Sequence, residues 1–261
     1  MRLEAVRYGL FALLLGSLTL SAGCVRHTIT SAAHSYQLGD TLIESVLYRA
    51  QGSDLLMFNL HENESTSVEA ALHLIRRRGG QVLALHHTGE RQIKFLLSGR
   101  WFSFDPNRIF TDSGAVATIS PNGAEKPDAI TVVRDFAREI VSTYSLDSSS
   151  VIVTLHNNTD QEYSVESYLP GGQYAPDARK VFVNRRRDPD DFFFVTDATF
   201  FTRLSRAGFN VVLQNNRFVT DDGSLSVLAA RHGIPYINVE AQHGHLKAQE
   251  KMLRAVAKLL G

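Results

Sequence analysis

Residues 151–155 read VIVTL, a β-branched apolar run of strand length that stops on His156. An apolar run without polar alternation is the pattern of a strand covered on both faces. The same pattern recurs outward along the chain, at residues 54–60 (DLLMFNL), 81–85 (QVLAL), 181–183, 192–195, 211–214 and 236–239. Between these runs, apolar residues at helical spacing predict helices over 67–78, closed by Gly79-Gly80, and over 127–144, 198–207, 224–232 and 246–260. Strands and helices in alternation predict an α/β fold, a three-layer αβα sandwich with a mixed, mostly parallel central sheet. Ligands collect at the carboxyl ends of such strands. His61, His156 and Glu240 all stand at those ends.

The first two dozen residues have a different character. Arg2 and Arg7, with Glu4 between them, precede an apolar stretch (residues 8–20, YGLFALLLGSLTL) and then Ser21-Ala22-Gly23. That is the layout of a secretory signal, with an apolar part too short for an ordinary spanning helix. The run Leu20-Ser21-Ala22-Gly23-Cys24 resembles a bacterial lipobox, whose cysteine is acylated, palmitate included, and begins the mature lipoprotein. An ordinary cleavable signal with an incidental cysteine is the alternative. The expected organisation is a signal peptide over 1–23, an acylated Cys24 with a short tether over 24–40, and one catalytic domain over 41–261. The lipid anchor would hold that domain at a membrane, on the periplasmic side of the cell envelope. Cys24 is the only cysteine, so no intramolecular disulfide forms. Without residues 1–23 the chain has 25 basic and 26 acidic residues, and so lacks the basic excess of a nucleic-acid binder.

His61-Glu62-Asn63-Glu64 is an H-x-x-E pair. At the start of a helix, residues three apart face the same way, so an imidazole and a carboxylate converge on one cation. A third ligand is needed, and His156 at a neighbouring strand end is placed to supply it. Two His and one Glu leave an open position on zinc, the ligand set of a catalytic rather than a structural site. Such a site polarises a carbonyl and activates water, although other divalent metals suit the same donors. Glu240, after the apolar strand YINV, is placed to carry a proton from water to a leaving nitrogen. Glu62 and Glu166 are rival carboxylates for that task. Arg100, Asn107 and Arg108 offer two guanidinium groups and an amide, which together clamp a carboxylate and steady an oxyanion.

The order of these motifs resembles the zinc carboxypeptidase superfamily, and more closely its aspartoacylase and succinylglutamate desuccinylase branch. In that branch an Arg stands seven positions before a D-x-N-R-I-F motif. Here Arg100 precedes Asp105-Pro106-Asn107-Arg108-Ile109-Phe110. The branch's third ligand lies in a D-x-H-N-x-T segment, read here as Thr154-Leu155-His156-Asn157-Asn158-Thr159. The match runs from about residue 54 to 241. The resemblance implies one zinc per chain on His61, Glu64 and His156. It also implies substrate binding by Arg100, Asn107 and Arg108, with Arg100 acting in catalysis and Glu240 as general acid/base.

Two departures carry consequences. Thr154 stands where the branch has Asp, so no carboxylate at that position orients a metal-bound imidazole. Glu62 replaces the Gly of the usual H-G-x-E. The chain ends one helix after Glu240, without the C-terminal domain that narrows the aspartoacylase pocket, which implies an open site and a peptide-sized substrate. The expected function is a zinc metallocarboxypeptidase or amidohydrolase. It would cleave an amide or peptide bond next to a free carboxylate, with peptidoglycan peptides within reach in the envelope. Deacylation of an N-acyl amino acid, or a catalytically silent zinc- or carboxylate-binding lipoprotein, are the alternatives. His86, His87, His243 and His245 read as loop and helix-start residues, and 185–191 as a self-compensating charged loop. Tyr163, Tyr168 and Tyr174 lie in the stretch after the third ligand.

Overall fold

The computed structural model describes residues 26–121, 126–160 and 162–261. The signal-like segment and Cys24 lie outside them. Among the described residues no helix is long and apolar enough to cross a membrane.

Among the described residues eleven strands and six α-helices follow in order: β1 (Thr30–Leu38), β2 (Thr41–Ala50), β3 (Leu56–Asn59), α1 (Ser65–Arg78), β4 (Gly80–His86), β5 (Ile93–Leu97), β6 (Arg100–Phe104), α2 (Asp112–Thr118), α3 (Pro127–Thr143), β7 (Ile152–Asn158), β8 (Ala178–Phe182), β9 (Phe192–Val195), α4 (Ala198–Arg206), β10 (Asn210–Gln214), α5 (Leu225–His232), β11 (Tyr236–Gln242) and α6 (Leu246–Leu260). Nine strands form one mixed sheet in the order β1-β2-β4-β3-β7-β11-β9-β10-β8, and β5 pairs with β6 as a separate hairpin. The central run β4-β3-β7-β11 is parallel throughout. Antiparallel pairing enters at β11–β9 and towards the two edges.

The period of two along each strand sorts the core into two layers. Phe192 and Phe194 of β9 join the apolar cluster that also takes in Ala115 of α2, Phe136 of α3 and Ala229 of α5. Phe193 and Val195 join the opposite cluster with Ala70 of α1, Leu204 of α4 and Leu253 of α6. The molecule is therefore a three-layer αβα sandwich, with the β5–β6 hairpin on the α3 side through Phe95, Phe102 and Phe104. All four residues of β9 are buried, and burying each such phenylalanine contributes about 1.5–3 kcal/mol.

The stretch 25–40, expected as a tether, instead contains β1, the edge strand of the main sheet. Only Tyr36 and Leu38 of β1 are buried, and the other seven residues are exposed. An edge strand with so little apolar content leaves no alternation to read. Strands β2, β5 and β6 and helix α2 went unassigned for a similar reason: each packs only part of its length. Strand β8 lies at 178–182 rather than 181–183, and its register against β10 shifts at Leu213/Gln214.

Candidate metal centre

His61, Glu64 and His156 meet at the carboxyl ends of the central parallel strands. His61 and Glu64 follow β3 in a turn closed by Glu64 N–H donating to the His61 carbonyl at 3.1 Å. They converge through this turn and not along a helix, because Glu64 is the residue that caps α1. His156 lies in β7, a strand buried along its whole length between β3 and β11. The register pairs His156 with Glu240, Thr154 with Asn238 and Ile152 with Tyr236. Residues two apart share a sheet face, so Thr154, His156, Asn238 and Glu240 line one face together.

One ligand atom from each of His61, Glu64 and His156 lies within 4.8 Å of the others. Glu64 uses both oxygens: Oε1 is 2.9 Å from His61 Nδ1, and Oε2 is 3.0 Å from His156 Nδ1. The two Nδ1 atoms are 3.2 Å apart. His61 Nε2 is bonded to Asp105 Oδ1 at 2.8 Å. A proton held on Nε2 by that carboxylate leaves Nδ1 as the lone-pair donor, which is how a carboxylate prepares an imidazole for a metal. Burial of His61, Glu64 and His156, with relative exposures of 0, 2 and 5%, adds to the demand for a cation. The donors therefore fit a divalent metal, and the three residues can hold one.

Burial opposes charge on His61, but Glu64 and the Asp105 hydrogen bond outweigh it and raise its pKa to about 9. Burial also opposes charge on Glu64 and Asp105, yet their histidine partners hold both carboxyls well below the usual range. Burial pushes His156 down. Glu240 is raised to about 8 by burial and then by the nearby charge of Glu64.

The residues singled out from sequence divide in two. Asn107 is drawn in: its Nδ2 lies 3.4 Å from His156 Nε2, and its Oδ1 accepts from Leu225 N–H at 3.2 Å. Arg108 stands at the rim, donating to the Asn107 carbonyl and facing Asp222 at 3.5 Å. Arg100 is not brought to this group. It is exposed at the turn end of β6, with its guanidinium 5.8 Å from the ring of Phe102, while Asp105 follows the other end of that strand. Its place beside the ligands is taken by Arg91, which the sequence did not single out. Arg91 Nη1 lies 2.7 Å from Glu64 Oε1, and Nη2 lies 3.3 Å from Asp105 Oδ2.

Thr154 has a task of its own. Its hydroxyl bonds Tyr236 at 2.6 Å and donates to Asn238 Oδ1 at 3.3 Å. That bond turns the Asn238 amide so that Nδ2 donates to Glu240 Oε2 at 3.0 Å. The orienting carboxylate expected for His156 is absent at Thr154, while Asp105 provides one for His61. Asn157 braces the third ligand by accepting from Ser67 N–H at 2.9 Å and donating to Gln249 Oε1 at 2.8 Å. Tyr163 and Tyr168 share a hydroxyl hydrogen bond and pack on Phe192 and Phe194, with ring centroids 5.3 Å apart in both contacts. Burial, then the nearby Tyr168 and Glu240, raise the Tyr163 pKa. His86 and His87 stand by Glu62. His245 faces Asp188 and Asp191 at 3.8 and 3.7 Å.

Two glycines hold the 105–108 segment in place. Gly223 has φ +79°, and a Cβ there would meet the Arg108 carbonyl oxygen at 2.2 Å and Gly114 Cα at 2.7 Å. Gly223→Ala is expected to cost about 2 kcal/mol, several degrees in Tm. The matched control is Gly99→Ala, whose φ is +74° but whose Cβ would meet nothing within 4 Å. Equal losses in thermal unfolding would assign the cost to φ alone and not to contact with Arg108.

No protein-family model matches the chain, and no curated protein matches it. Among solved structures it is similar to a crystal structure of an aspartoacylase family protein from Mesorhizobium loti. The two share 12% identity at a TM-score of 0.43, over 90% of this chain and 68% of that one. Epoxide hydrolase A from Mycobacterium thermoresistibile is 14% identical, at a TM-score of 0.20 over 68% of this chain and 54% of that one. Scores this low leave any functional reading to rest on the geometry of the site.

Proposed function

We propose that the protein is a zinc-dependent hydrolase that cleaves an amide or peptide bond next to a free carboxylate. The observation that carries this reading is the convergence of His61 Nδ1, His156 Nδ1 and Glu64 in a buried group with Glu240 paired beside it. Bound to His61, Glu64 and His156, zinc would supply a Lewis acid for the scissile carbonyl and for water. The chain's own residues supply the rest. Asp105 fixes the His61 ring, and Asn107 and the Asn157–Gln249 pair fix His156 and its strand. Glu240, held at Oε2 by Asn238, takes the proton from water and passes it to the leaving nitrogen. A carboxyl that titrates near 8 is suited to both halves of that transfer at neutral pH. Arg108 at the rim, its charge only partly met by Asp222, receives the substrate carboxylate.

The substrate class follows from chemistry and setting. A lipobox-like segment at 20–24 supports an anchored envelope protein, where peptides of the cell wall carry free carboxylates. Metal analysis of the purified full chain tests the core of the proposal. About one zinc per chain is expected, lost in the His61→Ala, His156→Ala double variant. Peptidoglycan peptides with a free terminal carboxylate should be hydrolysed and their terminal amides spared. A protein that takes up no zinc after reconstitution would sink the proposal.

A further inference from the structure

Arg91 sits on a metal ligand. Its guanidinium bridges Glu64 Oε1 and Asp105 Oδ2 at 2.7 and 3.3 Å. These are the two carboxylates that also hold His61, at 2.9 and 2.8 Å. The fork therefore lies over the anionic side of the ligand group, where a metal ion would also bring positive charge. The Arg91 side chain is 47% exposed, so it can swing into solvent without unpacking the core.

What delivers Arg91 there is Glu62, the residue that replaces glycine in the H-G-x-E pattern. Its Oε2 accepts from the backbone N–H of His87 at 2.6 Å and of Gly89 at 2.7 Å, and its Oε1 lies 3.2 Å from His86 Nδ1. Three contacts to one carboxylate fold the loop after β4 back over the site, two residues before Arg91. A glycine at 62 could make none of them.

We propose that Arg91 is a built-in counter-cation of the metal site, placed by Glu62, which competes with zinc for Glu64 and so sets the metal affinity. This rests on the zinc reading above and adds a regulation that the reading does not require. Two cations near one carboxylate repel, and coupling between sites is reciprocal. Removing one must strengthen the hold on the other.

Zinc affinity of the full chain, measured by competition with a chelator, tests it without recourse to activity. Arg91→Ala is expected to bind zinc on the order of tenfold more tightly than wild type, within the usual range of site–site coupling. Arg91→Lys, which keeps the charge but not the fork, should fall between the two. Glu62→Gln should change affinity in the wild-type background and not in Arg91→Ala, since neighbours acting through one another are non-additive. Equal or weaker binding by Arg91→Ala, with wild type binding normally, overturns the counter-cation and leaves the zinc site standing. The same Glu62→Gln effect in both backgrounds overturns the placing role of Glu62. Absence of zinc binding in every variant overturns both this inference and the function on which it rests.

Discussion

Glu240→Gln is expected to keep its zinc and lose turnover by on the order of 10²–10⁴-fold, the usual worth of a positioned general acid/base. The substitution preserves shape, and its amide oxygen can still accept from Asn238, now at 3.0 Å from Glu240 Oε2. It also preserves the charge state of the folded chain at neutral pH, because burial already raises Glu240 to about 8. Wild type must protonate Glu240 on folding at pH 7 and glutamine need not, so the variant should be at least as stable as wild type there. Loss of kcat with metal content unchanged and Tm not lowered isolates the proton-carrying role. Turnover within a few-fold of wild type would remove Glu240 from the mechanism. Neither rival carboxylate is an easy substitute: Glu62 is engaged by the loop after β4, and Glu166 lies exposed in the 3-10 turn Val165–Tyr168.

The second large effect concerns the protein stripped of metal. His61 rises from an ordinary 6.5 to about 9 in the folded chain. A raised pKa means that the folded state binds the proton more tightly than the unfolded one. The resulting stability is complete below about pH 6.5 and disappears as pH climbs through about 9, a contribution on the order of 3 kcal/mol. Glu240 acts in the same direction over a lower window, its stability being lost as pH rises from the ordinary 4.5 to about 8. Glu64 and Asp105 act oppositely and in another window: their depressed values favour the fold above the ordinary carboxylate range and fail in acid. The chelated protein should therefore lose stability between about pH 6.5 and 9. Zinc replaces the His61 proton, so the loaded protein should lose only the smaller Glu240 part over that interval.

Calorimetry at both ends of the window, with zinc and with chelator, reads the difference. The gap in Tm between loaded and stripped protein should widen by on the order of 10 °C from pH 6.5 to 9. In His61→Ala the largest source of the slope is gone, and only the Glu240 part remains. A stripped protein whose Tm is constant or rises with pH would contradict the proton-for-metal exchange at His61.

The central strands were legible because burial on both faces writes itself into composition. Runs such as VIVTL and FFFV admit few other readings. The helices showed through their apolar stripes, and the order of His61, Glu64, His156 and Glu240 along strand ends was visible once the runs were placed. Less of the surroundings could be read. Thr154, seen in one dimension, is a missing carboxylate; beside Asn238 and Tyr236 in the paired strand it orients Glu240. A period of two along β11 would have put Tyr236, Asn238 and Glu240 on one face, which was the available signal.

Sequence alone determined the αβα layering, the candidate ligands and the single cysteine, because these depend on local periodicity, residue chemistry and count. Tertiary structure alone decided which arginine reaches the ligands. Arg100 stands five residues before Asp105, yet the extended β6 carries the two apart. Arg91 is more distant from Asp105 in sequence and arrives because Glu62 folds its loop inward. Spacing in a motif encodes distance only along one element. Convergence between loops is set by long-range packing and by hydrogen bonds such as those to Glu62, which no local pattern records.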